Sequence, residues 1–290
     1  MKTSMTKVST ALALMALSGV AMGASIASTK HNLGGSFNGG GSNGTTKGFN
    51  FTTSTTEICV FCHTPHGSDS SAPAPLWNRT LGTSASYQTY SSLGTTTMDA
   101  TSAGIGSVSL ACLSCHDGTQ AMNAVINSPG GGSSGDVNKN GTSFISTLSA
   151  VDCTDTTGAC GGFFEFNYMS QVSAEMIYLS TDLQNDHPIS IQFAGAITGG
   201  TAARAALDTD FKTAVMTTAA GVSVWYIDND ASGTKTKSDF PLYNRPTGAL
   251  AGEPLVECAT CHDPHTKNTT FLRHTSGNDG SATCLSCHSK

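Results

Sequence analysis

Four short segments share one pattern, and it constrains this chain more than any other feature: Cys59-Val60-Phe61-Cys62-His63, Cys112-Leu113-Ser114-Cys115-His116, Cys258-Ala259-Thr260-Cys261-His262 and Cys284-Leu285-Ser286-Cys287-His288. Two thiols spaced this way on one helical turn can both form thioethers with the vinyl groups of a porphyrin. The next residue then points its imidazole at the iron. The pattern reads as four covalent haem c attachment sites, with His63, His116, His262 and His288 as proximal iron ligands. Paired zinc knuckles would suit the spacing of Cys258/Cys261 and Cys284/Cys287, but not a histidine directly after every second cysteine. A thioredoxin-like dithiol is expected once and also ignores the histidines.

Haem answers a shortage in the composition. The chain has 290 residues, of which 38% are hydrophobic and only 7% aromatic, thin for a core of that size. Four porphyrin faces would supply the missing apolar bulk. The fold class expected is a multihaem cytochrome c, mostly irregular chain with few short helices and strands, organised around four stacked haems. Charged residues make up 12% and the formal net charge is −6, which excludes a basic nucleic-acid binder and disfavours anionic membranes.

Four haems need four further axial ligands to be six-coordinate. His31, His66, His187, His265 and His274 lie outside the motifs, and an internal repeat selects among them. His31-Asn-Leu, then Cys-Val-Phe-Cys-His-Thr-Pro-His66, then the motif ending at His116, is echoed by His187-Pro-Ile, Cys-Ala-Thr-Cys-His-Asp-Pro-His265 and the motif ending at His288. Each half then owns enough histidines for two bis-histidine haems, with His31, His66, His187 and His265 distal and His274 spare. His66 and His265 follow a proximal histidine so closely that on a helical turn both imidazoles would leave from one side. Each must therefore serve a neighbouring haem, which brings porphyrins into near contact. Pro75-Leu-Trp-Asn-Arg79 and Pro241-Leu-Tyr-Asn-Arg245 also match, in a different order relative to the motifs. Met98, Met122, Met169, Met176 and Met216 do not recur in the repeat and read as packing residues.

Lys2, Lys7, the apolar run Ala11 to Leu17 and the small residues Ala21, Gly23 and Ala24 compose a secretory signal, too short for a membrane anchor. The organisation expected is a signal peptide over 1–24, a first two-haem module over 25–127, a Gly/Ser-rich connecting segment over 128–180, and a second two-haem module over 181–290. Cys153 and Cys160 would close a small disulfide loop in an oxidising compartment. Alternation predicts strands around Phe164, Phe166, Tyr168 and around Ile189, Ile191, Phe193, while Leu207, Phe211 and Val215 predict one amphipathic helix within 201–216. Asp228, Asp230, Ser232, Gly233 and Asp239 match positions of a calcium loop, with Asp in place of the usual closing Glu; a polar turn is the alternative.

The strings His31-Asn-Leu, Cys-Val-Phe-Cys-His-Thr-Pro-His, Pro-Leu-Trp-Asn, Cys-Leu-Ser-Cys-His-Asp-Gly-Thr, Asp-His187-Pro-Ile and Cys-Ala-Thr-Cys-His-Asp-Pro-His resemble multihaem c-type cytochromes of metal-reducing bacteria. Haem count, length and order look most like the OmcE-type extracellular tetrahaem nanowire cytochromes. The resemblance implies bis-histidine haems, a homopolymer with a continuous haem chain, and one axial histidine given by the adjacent subunit. It also implies a secreted, non-enzymatic electron carrier that meets other multihaem cytochromes or acceptors such as metal oxides. A monomeric periplasmic shuttle is the alternative. Low charge and the Gly-rich surroundings of His31 suit self-association, with His31 the first choice for the crossing ligand and His187 the second.

Overall fold

The computed structural model describes residues 26–27, 29, 31–33, 57–95, 98, 100–120, 124–127, 178–195, 203–204, 207–219, 221–274 and 277–289. The expected signal peptide, the Cys153/Cys160 loop, the strand around Phe164 to Tyr168 and most of the connecting segment lie outside them.

Regular structure is sparse: the described residues form few short helices and small sheets in a mostly irregular chain. Helix α1 spans Ser107–His116 and carries the second motif. It starts after Gly106, where an added Cβ would stand 2.3 Å from Glu257 Oε1, so only glycine admits that close approach. Asp117 closes the helix, its N–H donating to the Leu113 carbonyl at 3.0 Å. Strands β1 (Ile191–Gln192), β2 (Ala203–Arg204), β3 (Ala214–Ala219), β4 (Val222–Ile227), β5 (Phe240–Leu242) and β6 (Leu255–Val256) follow, then the one-turn helix α2 (Cys258–Cys261). Strands β2-β3-β4-β5 form an antiparallel meander, and β1 pairs antiparallel with β6. The β3–β4 hairpin closes from Ala219 to Val222 through Gly221, whose φ of +80° suits a two-residue turn.

The amphipathic helix expected within 201–216 is not formed. Asp208 accepts the Asp210 N–H at 2.8 Å and locks a turn there, and the run from Thr213 to Thr218, rich in β-branched residues, pairs as β3. The stripe is split accordingly: Leu207 is exposed, whereas Phe211 packs on Phe193 at 5.4 Å. The strand expected around Ile189 to Phe193 shrinks to β1, because Ala194 turns the chain with a positive φ.

Two apolar clusters support the motifs. Phe193, Ala214, Trp225, Ile227, Phe240, Leu242 and Val256 form the larger, with Met216 and Cys287 packed against it. Ile105, Leu110, Leu113 and Leu183 form the smaller, under α1. Among the described residues, no helix is long and apolar enough to cross a membrane.

Candidate haem-binding site

All four motifs fold into single helical turns. His63, His262 and His288 each return their backbone N–H to the carbonyl of the first cysteine of their motif, at 2.7, 3.1 and 2.9 Å, and His116 ends α1. The residue before each second cysteine is buried: Phe61, Ser114, Thr260 and Ser286. That side chain anchors each turn, and Cys59 and Cys284 are the exposed first cysteines of theirs. None of the eight motif cysteines is in a disulfide.

The turns are neighbours in chain order. Cys115 adds to the burial that pushes the Cys62 thiol up to about 12. Cys112 and Cys258 share a hydrogen bond that raises the former and lowers the latter. Burial raises the Cys261 thiol to about 11, and Cys284 adds to it. Between the second and third turns sits Glu257. Its carboxylate is 2% exposed and accepts bonds from Ser109 Oγ at 2.5 Å, Ser190 Oγ at 2.8 Å and Arg245 Nη2 at 3.3 Å. It also caps α2 through a reciprocal bond with Thr260.

Two proximal imidazoles are held by matching straps. His63 Nδ1 meets the Pro75 carbonyl at 2.7 Å, and His262 Nδ1 meets that of Thr270 at 2.8 Å. Such a bond fixes the ring and leaves Nε2 as the metal-binding nitrogen. Leu76 and Phe271 follow with φ of 56° and 58°, their carbonyls accepting the N–H of Thr64 and Asp263. Asn78 Nδ2 then donates to the Val60 carbonyl and Arg273 Nε to that of Ala259. The structural partner of Pro75-Leu-Trp-Asn-Arg79 is therefore Thr270-Phe-Leu-Arg-His274, and the likeness to Pro241–Arg245 is coincidental. His274 takes the place of Arg79 in this repeat.

Distances between imidazoles sort the distal histidines. Two rings on opposite sides of one iron have centroids roughly 6 Å apart, from metal–nitrogen bonds of about 2 Å plus the ring radii. His31 and His116 are 6.2 Å apart, and His63 and His265 are 6.3 Å apart. His187 lies close enough to His288 for that imidazole to lower its pKa, after the larger effect of burial. His262 and His265 also lie close enough to His31 to lower its pKa, after burial and His116. His265 reaches across to a neighbouring proximal histidine as expected, though not from a helix: the chain is already extended at His262, with φ −107° and ψ 140°.

The residues fit a haem. Burial, and secondarily His116, holds His31 down to about 4, so the ring is neutral, and its Nδ1 is buried with no hydrogen-bond partner. Trp77 Nε1, beside His63, is likewise a buried donor without a partner. His265 Nδ1 faces Asp263 Oδ1 at 3.3 Å, the carboxylate–histidine pairing that orients metal ligands.

Asp228, Asp230 and Asp239 bring carboxylate oxygens within 4.8 Å of one another, a cluster that could bind a metal ion. Ser232 sits beside this set: its hydroxyl donates to the Thr234 carbonyl at 2.8 Å, and both its side chain and its N–H hydrogen-bond Asp230. The straps, Glu257 and Phe271 were not foreseen from the sequence; a carbonyl acceptor carries no residue-type signal, so Pro75 and Thr270 left none to find.

A family model described as the doubled CXXCH motif matches residues 253–290, which hold the third and fourth attachment turns. No curated protein matches the chain. The doubled motif, with its covalent haem c, supports a multihaem c-type cytochrome involved in electron transfer.

Proposed function

We propose that this protein is a tetrahaem electron conduit that polymerises outside the cell into a filament with a continuous haem chain. The observation that carries the reading is the imidazole inventory. The rings of His63/His265 and His116/His31 stand at the separation of two ligands on one iron, and on this reading His187, which feels the His288 imidazole, completes the haem of His288. One proximal ligand, His262, and one distal ligand, His66, are left over. Each completes the other if His66 of one subunit binds the haem of His262 in the next. This reading takes His66 as the crossing ligand in preference to His31, whose ring stands 6.2 Å from His116 of its own chain, and to His187.

His66 is prepared for that role. Its ring is exposed, while its carbonyl is fixed by Asn127 Nδ2 at 2.7 Å and Thr64 Oγ1 at 3.1 Å. A partner then gains the ligand without ordering its backbone. When bound, haem iron cycles between ferric and ferrous states. The chain's work is to hold imidazoles on both faces, exclude exchangeable ligands and keep attachment turns adjacent. With every axial position filled, no iron is open to a substrate, and the protein is a carrier rather than an enzyme. Bis-histidine ligation without methionine gives low potentials.

His66→Ala should still attach four haems, yield monomers in place of filaments on negative-stain grids, and leave one iron high-spin by resonance Raman. Wild-type protein that stays monomeric at high concentration, with all four haems low-spin, would overturn the filament and favour the periplasmic shuttle.

A further inference from the structure

The in-chain axial pairs differ in how their rings are turned. His63 and His265 are nearly parallel, at 17°, whereas His31 and His116 cross at 71°. Phe271 lies face to face with His31, with centroids 4.1 Å apart and planes 18° from parallel. The His31 ring is also hydrogen-bonded to the Pro264 backbone, its N–H faces Thr29 Oγ1, and the neighbouring Asn32 is buried and tied to the Ala27 carbonyl. Phe271 cannot easily turn away. Thr270 and Phe271 both have left-handed φ, 51° and 58°, in the turn closed by the Phe271 N–H on the Asn268 carbonyl at 2.9 Å. Non-glycine residues hold that backbone only where surrounding contacts impose it.

We propose that Phe271 is a positioning residue: by stacking on His31 it sets the ring azimuth that gives the His31/His116 haem crossed axial imidazoles, unlike the parallel pair at the His63/His265 haem. The same dipeptide serves two haems, because the Thr270 carbonyl orients His262. The inference rests on the axial pairs of the preceding section. Parallel imidazoles split the two iron d orbitals that engage in π bonding and produce a rhombic ferric signal. Crossed imidazoles leave them nearly degenerate and produce a single feature at large g. The crossed arrangement also stabilises the ferric form less, so that haem has the higher potential of the two.

Low-temperature EPR of the oxidised holoprotein tests this. Wild type should show both a rhombic low-spin species and a large-g species. Phe271→Leu should convert one haem's worth of the large-g feature to rhombic signal while all haems stay low-spin, and Phe271→Tyr, which keeps the stacking face, should retain it. His31→Ala should remove the same feature and create a high-spin iron, which assigns it. Only rhombic low-spin signals in wild type, or a large-g feature unchanged in Phe271→Leu, would overturn the inference while leaving bis-histidine ligation intact. High-spin iron at the His116 haem in wild type would instead overturn the axial pairing itself.

Discussion

The two straps that hold His63 and His262 have the same backbone and different chemistry. In the first, Asn78 is fully buried and joins three segments: its Nδ2 donates to the Val60 and Asn127 carbonyls at 2.6 and 2.8 Å, and its Oδ1 accepts the Asn127 N–H at 2.9 Å. Asn127 passes the support on to His66. In the second, Arg273 donates to Ala259 and faces Asp263 at 3.7 Å, and Asp263 holds His265. Neutral amides support His66, the proposed crossing ligand; charged groups fix His265, the proposed partner of His63. A carboxylate on a ligating histidine tunes an iron, whereas an amide network only places a backbone. Leu76 is exposed where its counterpart Phe271 covers His31.

The largest expected break comes at Asn78. Asn78→Ala removes two donated bonds and one accepted bond in a site with no water access, which should cost about 3 kcal/mol. Arg273→Ala, which removes one donated bond and a long ion pair to the more exposed Asp263, should cost about 1 kcal/mol. Denaturant titrations of the two holoproteins check the ranking, and equal losses would mean the straps are equivalent. Asp263→Asn should leave stability nearly unchanged and raise the potential of the haem ligated by His265. Losing the anionic partner makes the imidazole a weaker donor to ferric iron, and a tenfold change in that preference corresponds to about 59 mV. Spectroelectrochemistry with no component moving upward would count against the pairing of His265 with His63.

The C-terminal half has a further brace with no counterpart among the described residues of the N-terminal half. Asn229, at the start of the acidic loop, accepts a hydrogen bond from Ser286 Oγ at 2.9 Å, in the fourth attachment turn, and its own N–H is held by Asp239. The oxygen donors favour calcium as the cation. Calcium at a few times its Kd should raise stability by about 1 kcal/mol, and Asp239→Asn should abolish the increment. An identical melting temperature with calcium or chelator would argue that the loop is a polar turn held by its own hydrogen bonds.

What the sequence made legible follows from how each feature is encoded. Covalent attachment demands particular atoms at fixed spacing, so Cys59 through His288 could be read directly. Distal ligands need only an imidazole, so the repeat alone favours His187 over His274 as a candidate. Which ring faces which depends on backbone turns at Leu76, Thr270 and Phe271, and residues of those types carry no signal for a left-handed φ. The choice of His31 as crossing ligand leaned on the glycines around it, which suggest a mobile arm, whereas its stacking against Phe271 is a tertiary property that composition does not carry. The failed helix shows the same limit, since one apolar stripe served a turn and a strand once β4 was there to pair with β3.

The smallest expected effect lies at the junction of the two modules, where Glu257 ties Ser109 of α1 to α2 and Arg245. Burial is the largest influence on this carboxyl and raises its pKa above the ordinary 4.5; the hydroxyls of Ser109 and Ser190 and the charge of Arg245 lower it in part. Tyr243, also near, is neutral over the accessible range because burial raises its pKa. A carboxyl whose pKa is raised on folding binds more protons in the folded state than in the unfolded one. Its contribution is therefore complete below the unfolded pKa and is lost as pH rises through the folded pKa. Glu257→Gln removes this titration and keeps a side chain able to accept from both serines. Stability of wild type relative to Glu257→Gln should thus be greatest in acid and decline as pH rises above 4.5, while the titrations common to both proteins cancel. A difference that is flat with pH would show that Arg245 and the two serines fully offset the burial, and that the junction is held by an ordinary ion pair.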